Sequence, residues 1–206
     1  MSGLSPSQVR SRIDHPVIDS DGHTVTYGVR EKEDVLAAIA YLRSARPEQA
    51  REIVGLGLSM GAACLIRGAA EVEPPLDAVI VDSAYASAVE LTDNVLAGLP
   101  AFVRPLIAIP AVPLASLDAG CWLPDARPID SVDRLRAPAL FIHARGDALI
   151  PYDHSCRLFE RAAGPKELRL TDTGGHCSSF SLAHAEYLRR IAALLPARKG
   201  APGQDK

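Results

Sequence analysis

Gly57-Leu58-Ser59-Met60-Gly61 closes an apolar run that begins at Ile53. A serine between two glycines, where a strand gives way to a helix, can be held on a sharp turn with its hydroxyl above the sheet. Glycine at 57 and 61 predicts that strand and helix approach too closely there for a Cβ. A helix starting at Met60 aims its unpaired N–H groups and positive end at the serine, so the Met60 N–H can receive an oxyanion. A serine hydroxyl is a weak nucleophile at neutral pH and needs a base, which a carboxylate must orient. Two later segments offer these groups: His143-Ala144-Arg145-Gly146-Asp147 and Thr171-Asp172-Thr173-Gly174-Gly175-His176. Asp147 and His176 each stand just past a predicted strand, in the order serine, acid, histidine. A plain Gly/Ser packing turn is the competing reading of the first motif. A dinucleotide loop is a poor one, because Gly55, Gly57 and Gly61 do not give G-x-G-x-x-G.

The elements that must position these residues alternate. Val35, Ile39 and Leu42 recur at helical spacing behind Glu31 and Glu33, and Pro47 ends that helix. Ile53–Leu58 reads as a strand buried on both faces, and Met60–Glu71 as the helix after it. Ala78–Val81 is a second strand, 85–98 a helix, Ala139–Ile142 a third strand, and Pro151–Ala163 a helix. Leu168–Leu170 is a short fourth strand, and Ser181–Leu195 a final amphipathic helix. Apolar strands alternating with helices predict an α/β fold, a mostly parallel sheet with helices on both faces. Residues 1–28 are polar, with a short alternating piece at Thr24–Tyr27. The core spans 29–196, and the Gly, Pro and charge of 197–206 predict a disordered tail.

The three segments G-L-S-M-G, F-I-H-A-R-G-D-A-L-I-P and T-G-G-H resemble the nucleophile, acid and histidine segments of the α/β-hydrolase superfamily. The resemblance runs from about Gly28 to Leu195, and the bacterial acyl-hydrolase and serine-aminopeptidase-like branch is the nearest in kind. It implies a serine hydrolase that cleaves an ester, thioester or amide through an acyl-enzyme. Ser59 is then the nucleophile, His176 the base and acid, Asp147 the orienting acid, and the Met60 N–H an oxyanion donor. It implies a small-molecule acyl substrate and no metal or organic cofactor. The stretch 99–128 lies where the superfamily inserts a cap. Phe102, Leu106 and Trp122, with Ala101, Val103 and Ile107, are expected either to roof the site or merely to cover the sheet.

Other candidates carry blander expectations. Asp172 lies too near His176 along the chain to orient it and reads as a solvated loop residue. His143 is expected to be packed and hydrogen-bonded, Asp153 to be a first-turn charge, and His184 to be on the surface. Cys177 is expected to pack beside the site, and Glu31 to belong to an ordinary solvated helix start.

Composition sets the wider frame. The chain has 206 residues, 48% of them apolar and 23% charged, which is globular and neither disordered nor fibrous. A net charge of −3 offers no basic field for a phosphate backbone, so nucleic acid is not an expected partner. No apolar run reaches the roughly 18 residues of a membrane span. No secretory h-region stands at the N-terminus, and the four cysteines form no metal pattern, so cytoplasmic, reduced thiols are expected. The superfamily places several strands before its nucleophile, yet only 58 residues precede Ser59. The expectation is a form shortened at its N-terminus, with the Val17–Asp19 segment as a remnant strand. It would lack the loop that carries the second oxyanion donor, at a cost of about 10²–10³ in turnover. The first strand would then be an edge open to a second copy or a partner. The alternative function is an impaired remnant that serves as a binding module.

Overall fold

The computed structural model describes residues 24–194. The Val17–Asp19 segment, most of the polar N-terminal stretch and the C-terminal tail lie outside these residues. Helix α1 spans Glu31–Ala45, strand β1 Val54–Leu58, α2 Met60–Ala69 and β2 Ala78–Asp82. Helices α3 (Ala88–Val95) and α4 (Arg104–Ala119) follow, then three short 3₁₀ turns between Leu123 and Arg134. Next come β3 (Ala139–Ala144), α5 (Asp153–Arg161), β4 (Lys166–Thr171), α6 (Ser179–Leu182) and α7 (His184–Leu194). The last predicted helix is thus two helices, and Thr24–Tyr27 leads into a turn rather than a strand.

The four strands are all parallel, in the order β1-β2-β3-β4. Leu58 pairs with Asp82, Asp82 with Ile142, and Ala144 with Thr171, so the four C-terminal strand ends form one edge. Parallel strands need crossovers, and the helices that supply them cover the sheet. Ala62, Leu65 and Ile66 of α2 and Leu158 of α5 bury Val79, Val81 and Phe141 on one face. On the other face Ile80, Leu140 and Ile142 meet Tyr187, Ile191 and Leu194 of α7. The central strands β2 and β3 are buried throughout.

Strand β1 departs from its expected burial on both faces. Gly55 and Gly57 face α2, while Leu56 on the opposite face is 53% exposed. The contacts of α7 are with β2 and β3, and among the described residues β1 pairs on one side only.

The two glycines of the Gly57–Gly61 motif differ. A Cβ at Gly57 would lie 2.6 Å from the Ala62 Cα and from the Gly61 carbonyl, so α2 rests directly on the β1 backbone. A Cβ at Gly61 would meet nothing within 4 Å, which corrects the expectation that both glycines relieve a collision. Gly57→Ala is therefore expected to destabilise by at least about 1–3 kcal/mol through overpacking. Gly61→Ala should gain roughly 0.5–1 kcal/mol from helix propensity. Urea unfolding of the two variants measures both, and their opposite signs are the test.

Candidate active site

Ser59 sits between the end of β1 and the start of α2 with φ 51° and ψ −120°, a left-handed backbone that non-glycine residues rarely adopt. Its N–H donates to the Asp82 carbonyl at 2.8 Å, and its own carbonyl accepts from the N–H groups of Ala62 and Ala63. These bonds hold the turn against its strain. Met60 is the first residue of α2, so its N–H has no intrahelical acceptor and lies beside the serine.

The other two predicted residues arrive from β3 and β4. His176 Nε2 lies 2.8 Å from Ser59 Oγ, and His176 Nδ1 lies 2.8 Å from Asp147 Oδ2. The Nδ1 proton donates to the carboxylate, which leaves Nε2 free to accept from the hydroxyl. The approach of the two loops depends on Gly146, where a Cβ would fall 2.6 Å from the Gly174 carbonyl. Asp172 is exposed and reaches Arg145 at 3.2 Å, away from this relay. His184 is exposed and stacks edge-on against Phe180.

The Asp147 side chain is fully buried. Its Oδ1 accepts from the N–H groups of Leu149 and Ile150, each at 2.9 Å. Its Oδ2 is shared by His176 and by His143 Nε2 at 3.2 Å. The same His143 nitrogen reaches the Ile150 carbonyl at 2.8 Å. A carbonyl only accepts, so Nε2 carries the proton, and Nδ1 accepts from the Ser155 hydroxyl at 2.7 Å. His143 is packed, as its place on a strand implied. It also braces the acid, which sequence spacing did not show.

A second buried histidine ties α3 to the body. His154 Nδ1 accepts from the Ala86 N–H at 3.1 Å and from Arg157 at 2.9 Å, and Asn94 of α3 lies 3.4 Å from Nε2. Arg157 also pairs with Glu90 of α3 and with Asp153, whose expected role was only that of a first-turn charge. Burial, and next the Arg157 guanidinium, hold the His154 pKa below the ordinary histidine value of 6.5. At the end of β2 another carboxyl, Asp82, is buried, and that burial pushes its pKa up. Burial likewise raises the Cys177 thiol, whose backbone N–H donates to Ser83 Oγ at 3.2 Å.

A cavity of about 520 Å³ opens beside Ser59. Its walls are Met60 and Tyr85 of the body, Leu91 and Val95 of α3, Ile107 and Val112 of α4, and Leu149 and Ile150 of the acid loop. No charged side chain lines it. The stretch 99–128, irregular in sequence, is largely the single helix α4, with Pro110 and Pro113 inside it. Both faces of that helix are apolar, which hides its phase. Phe102, Leu106 and Trp122, expected either to roof the site or to cover the sheet, do not line the cavity and are 76%, 71% and 53% exposed. Phe102 precedes the helix, Trp122 follows it, and Leu106 is turned away from the stripe of Ile107, Ala111 and Ala115 that does line the space.

Two stability measurements follow. His143→Leu leaves the Ser155 hydroxyl and the Ile150 carbonyl unpaired in the interior and should cost on the order of 2–4 kcal/mol. His143→Gln, which can both donate and accept, should cost less in urea unfolding. For His154 the folded pKa is depressed, so its contribution is present above pH 6.5 and declines as pH falls below it. The stability difference between the native chain and His154→Gln should therefore shrink from about pH 7.5 to about pH 5.5.

Searches place this geometry among known proteins. No protein-family model matches the chain. The uncharacterised protein YqkD of Bacillus subtilis is 29% identical over 182 residues, 85% of this chain and 58% of that protein. The uncharacterised protein YfhR of Escherichia coli K12 is 27% identical over 161 residues, 76% of this chain and 49% of that one. The chain thus spans between about half and three-fifths of the curated relatives it matches. Among solved structures, the esterase Pf2001 of Pyrococcus furiosus superposes with a TM-score of 0.66 at 24% identity, over 85% of this chain and 65% of its own. The esterase domain of a Rhodothermus marinus protein gives 0.55 at 22%, over 81% and 69%. A monoacylglycerol lipase of Paleococcus ferrophilus gives 0.52 at 19%, over 76% and 74%. Among the described residues no helix is long and apolar enough to cross a membrane. From the parallel sheet, the strained serine turn after β1 and these structural neighbours, the chain is an α/β-hydrolase in fold.

Proposed function

We propose that the chain is a serine hydrolase that cleaves an ester, thioester or amide of an uncharged acyl group through an acyl-enzyme on Ser59. The observation that carries this reading is the unbroken relay from Ser59 Oγ to His176 Nε2 and from His176 Nδ1 to Asp147 Oδ2, each step 2.8 Å. That the neighbours include esterases and a monoacylglycerol lipase supports the same reading.

In this mechanism His176 Nε2 takes the Ser59 proton as Oγ attacks the carbonyl carbon. The Met60 N–H receives the developing oxyanion, and Asp147 stabilises the imidazolium without taking its proton. His176 then gives the proton to the leaving group as the bond to it breaks. Water, deprotonated by the same nitrogen, attacks the acyl-enzyme and releases the acid and the free serine. The apolar, uncharged cavity favours an aliphatic acyl chain over a charged one. No step needs a metal or an organic cofactor. Among the described residues β1 pairs on one side only, which leaves its other side to a second copy or a partner strand.

The test is labelling with a fluorophosphonate, which reacts with activated serines. The expected outcome is one adduct per chain on Ser59, lost in Ser59→Ala, with turnover of a p-nitrophenyl ester falling on the order of 10⁵–10⁶-fold in that variant. A folded, monodisperse chain that takes no label overturns the reading in favour of a binding module.

A further inference from the structure

Among the described residues four non-glycine positions have left-handed backbone: Tyr27 and Ser59 at φ 51°, and Ser83 and Cys177 at φ 54°. Three of them belong to the site by geometry. Ser59 begins the relay, and Cys177 follows His176 and is tied to Ser83 through the bond from its N–H to the Ser83 hydroxyl. Strained backbone persists only where surrounding contacts enforce it, and it gathers at functional sites. The fourth position, Tyr27, also lines the cavity that holds Ser59.

The turn carrying Tyr27 is fixed from several sides. The Glu31 carboxylate accepts from the Thr26 N–H at 2.6 Å, the Gly28 N–H at 2.8 Å and the Thr26 hydroxyl. This corrects the expectation of a solvated Glu31. Burial alone would raise its pKa, but these hydrogen bonds outweigh it and hold the carboxyl below the ordinary glutamate value. The hydroxyl of the buried Tyr85 donates to the Tyr27 carbonyl at 2.7 Å. Arg30 reaches the Gly120 carbonyl at the end of α4, so the turn also touches the cap.

All these bonds use the backbone of the turn or its neighbours, and a glycine at position 27 would keep them without strain. The chain places glycine next door, at Gly28 with φ 90°, yet keeps a large side chain at 27. That side chain does not fill the core, since Tyr27 is 42% exposed. Core packing therefore does not account for the ring, and what it borders is the cavity beside the serine.

We propose that Tyr27 is a substrate-contacting specificity residue whose ring closes the wall of the acyl cavity beside Ser59 and selects for an uncharged aliphatic acyl chain over acetyl. The proposal rests on the serine hydrolase reading and names the acyl chain it takes. The experiment compares kcat/KM for p-nitrophenyl octanoate and p-nitrophenyl acetate in the native chain, Tyr27→Gly and Tyr27→Phe, with fluorophosphonate labelling and thermal unfolding of each. In Tyr27→Gly the octanoate-to-acetate ratio should fall about tenfold, chiefly through KM for octanoate, while Ser59 still labels. Its melting temperature should be no lower than the native one, because glycine adopts this φ freely. Tyr27→Phe should keep the native ratio. Should Tyr27→Gly fail to fold, Tyr27→Asn, which tolerates the left-handed region, carries the same comparison. An unchanged ratio in a labelled, folded variant overturns the proposal and makes Tyr27 a strut. A native chain that takes no label overturns the hydrolase reading and this one with it.

Discussion

Burying a carboxylate is costly unless its oxygens are supplied with donors, and Asp147 is supplied with four. The two on Oδ1 come from the backbone of Leu149 and Ile150, so the acid shapes the loop that forms one wall of the cavity. The two on Oδ2 come from histidines, one facing the serine and one rooted in the core through Ser155. A single charged group thus fixes the cavity wall and the direction of the His176 ring together. Removing it would leave the N–H groups of Leu149, Ile150 and His176 Nδ1 without an acceptor and undo both. The two glycine contacts serve the same end at a larger scale. Gly57 lets α2 settle on β1 so that Ser59 rises at the strand end, and Gly146 lets the acid loop touch the histidine loop.

Much of this was legible in the chain. Buried parallel strands are continuous apolar runs, and the residues just past their ends must gather at one edge, so Ser59, Asp147 and His176 could be placed near one another without coordinates. Gly57 was legible as a close contact for the same reason, because it stands one residue from the end of a strand that runs straight into a helix. Gly61 was not, since its carbonyl rests against Gly57 while its own Cβ direction points into open space.

The remaining roles arise from contacts distant in sequence. His143 and Asp147 are close along the chain, yet the Ser155 hydroxyl that donates to His143 comes from the next helix. His154 is defined by the Ala86 N–H and by Asn94, elements that no local pattern joins to it. The cap was misread because a helix apolar on all sides has no phase to read. Ile107 could not be told from Leu106 until the helix was seen to lie over the serine. Glu31 looked like a helix-start charge, which it is, but its oxygens are turned back onto the preceding turn.

The prolines of α4 carry a consequence of a different kind. Pro110 and Pro113 have no N–H, so the carbonyls of Leu106 and Ile109 lack the donor four residues on. Over that stretch α4 lacks two bonds of its own ladder, while Ile107, Ala111 and Val112 border the cavity. Its order is therefore linked to occupancy: an apolar group seated under Ile107 and Val112 would add contact beside the missing bonds. Filling the cavity would thus stiffen α4 where its own ladder is broken.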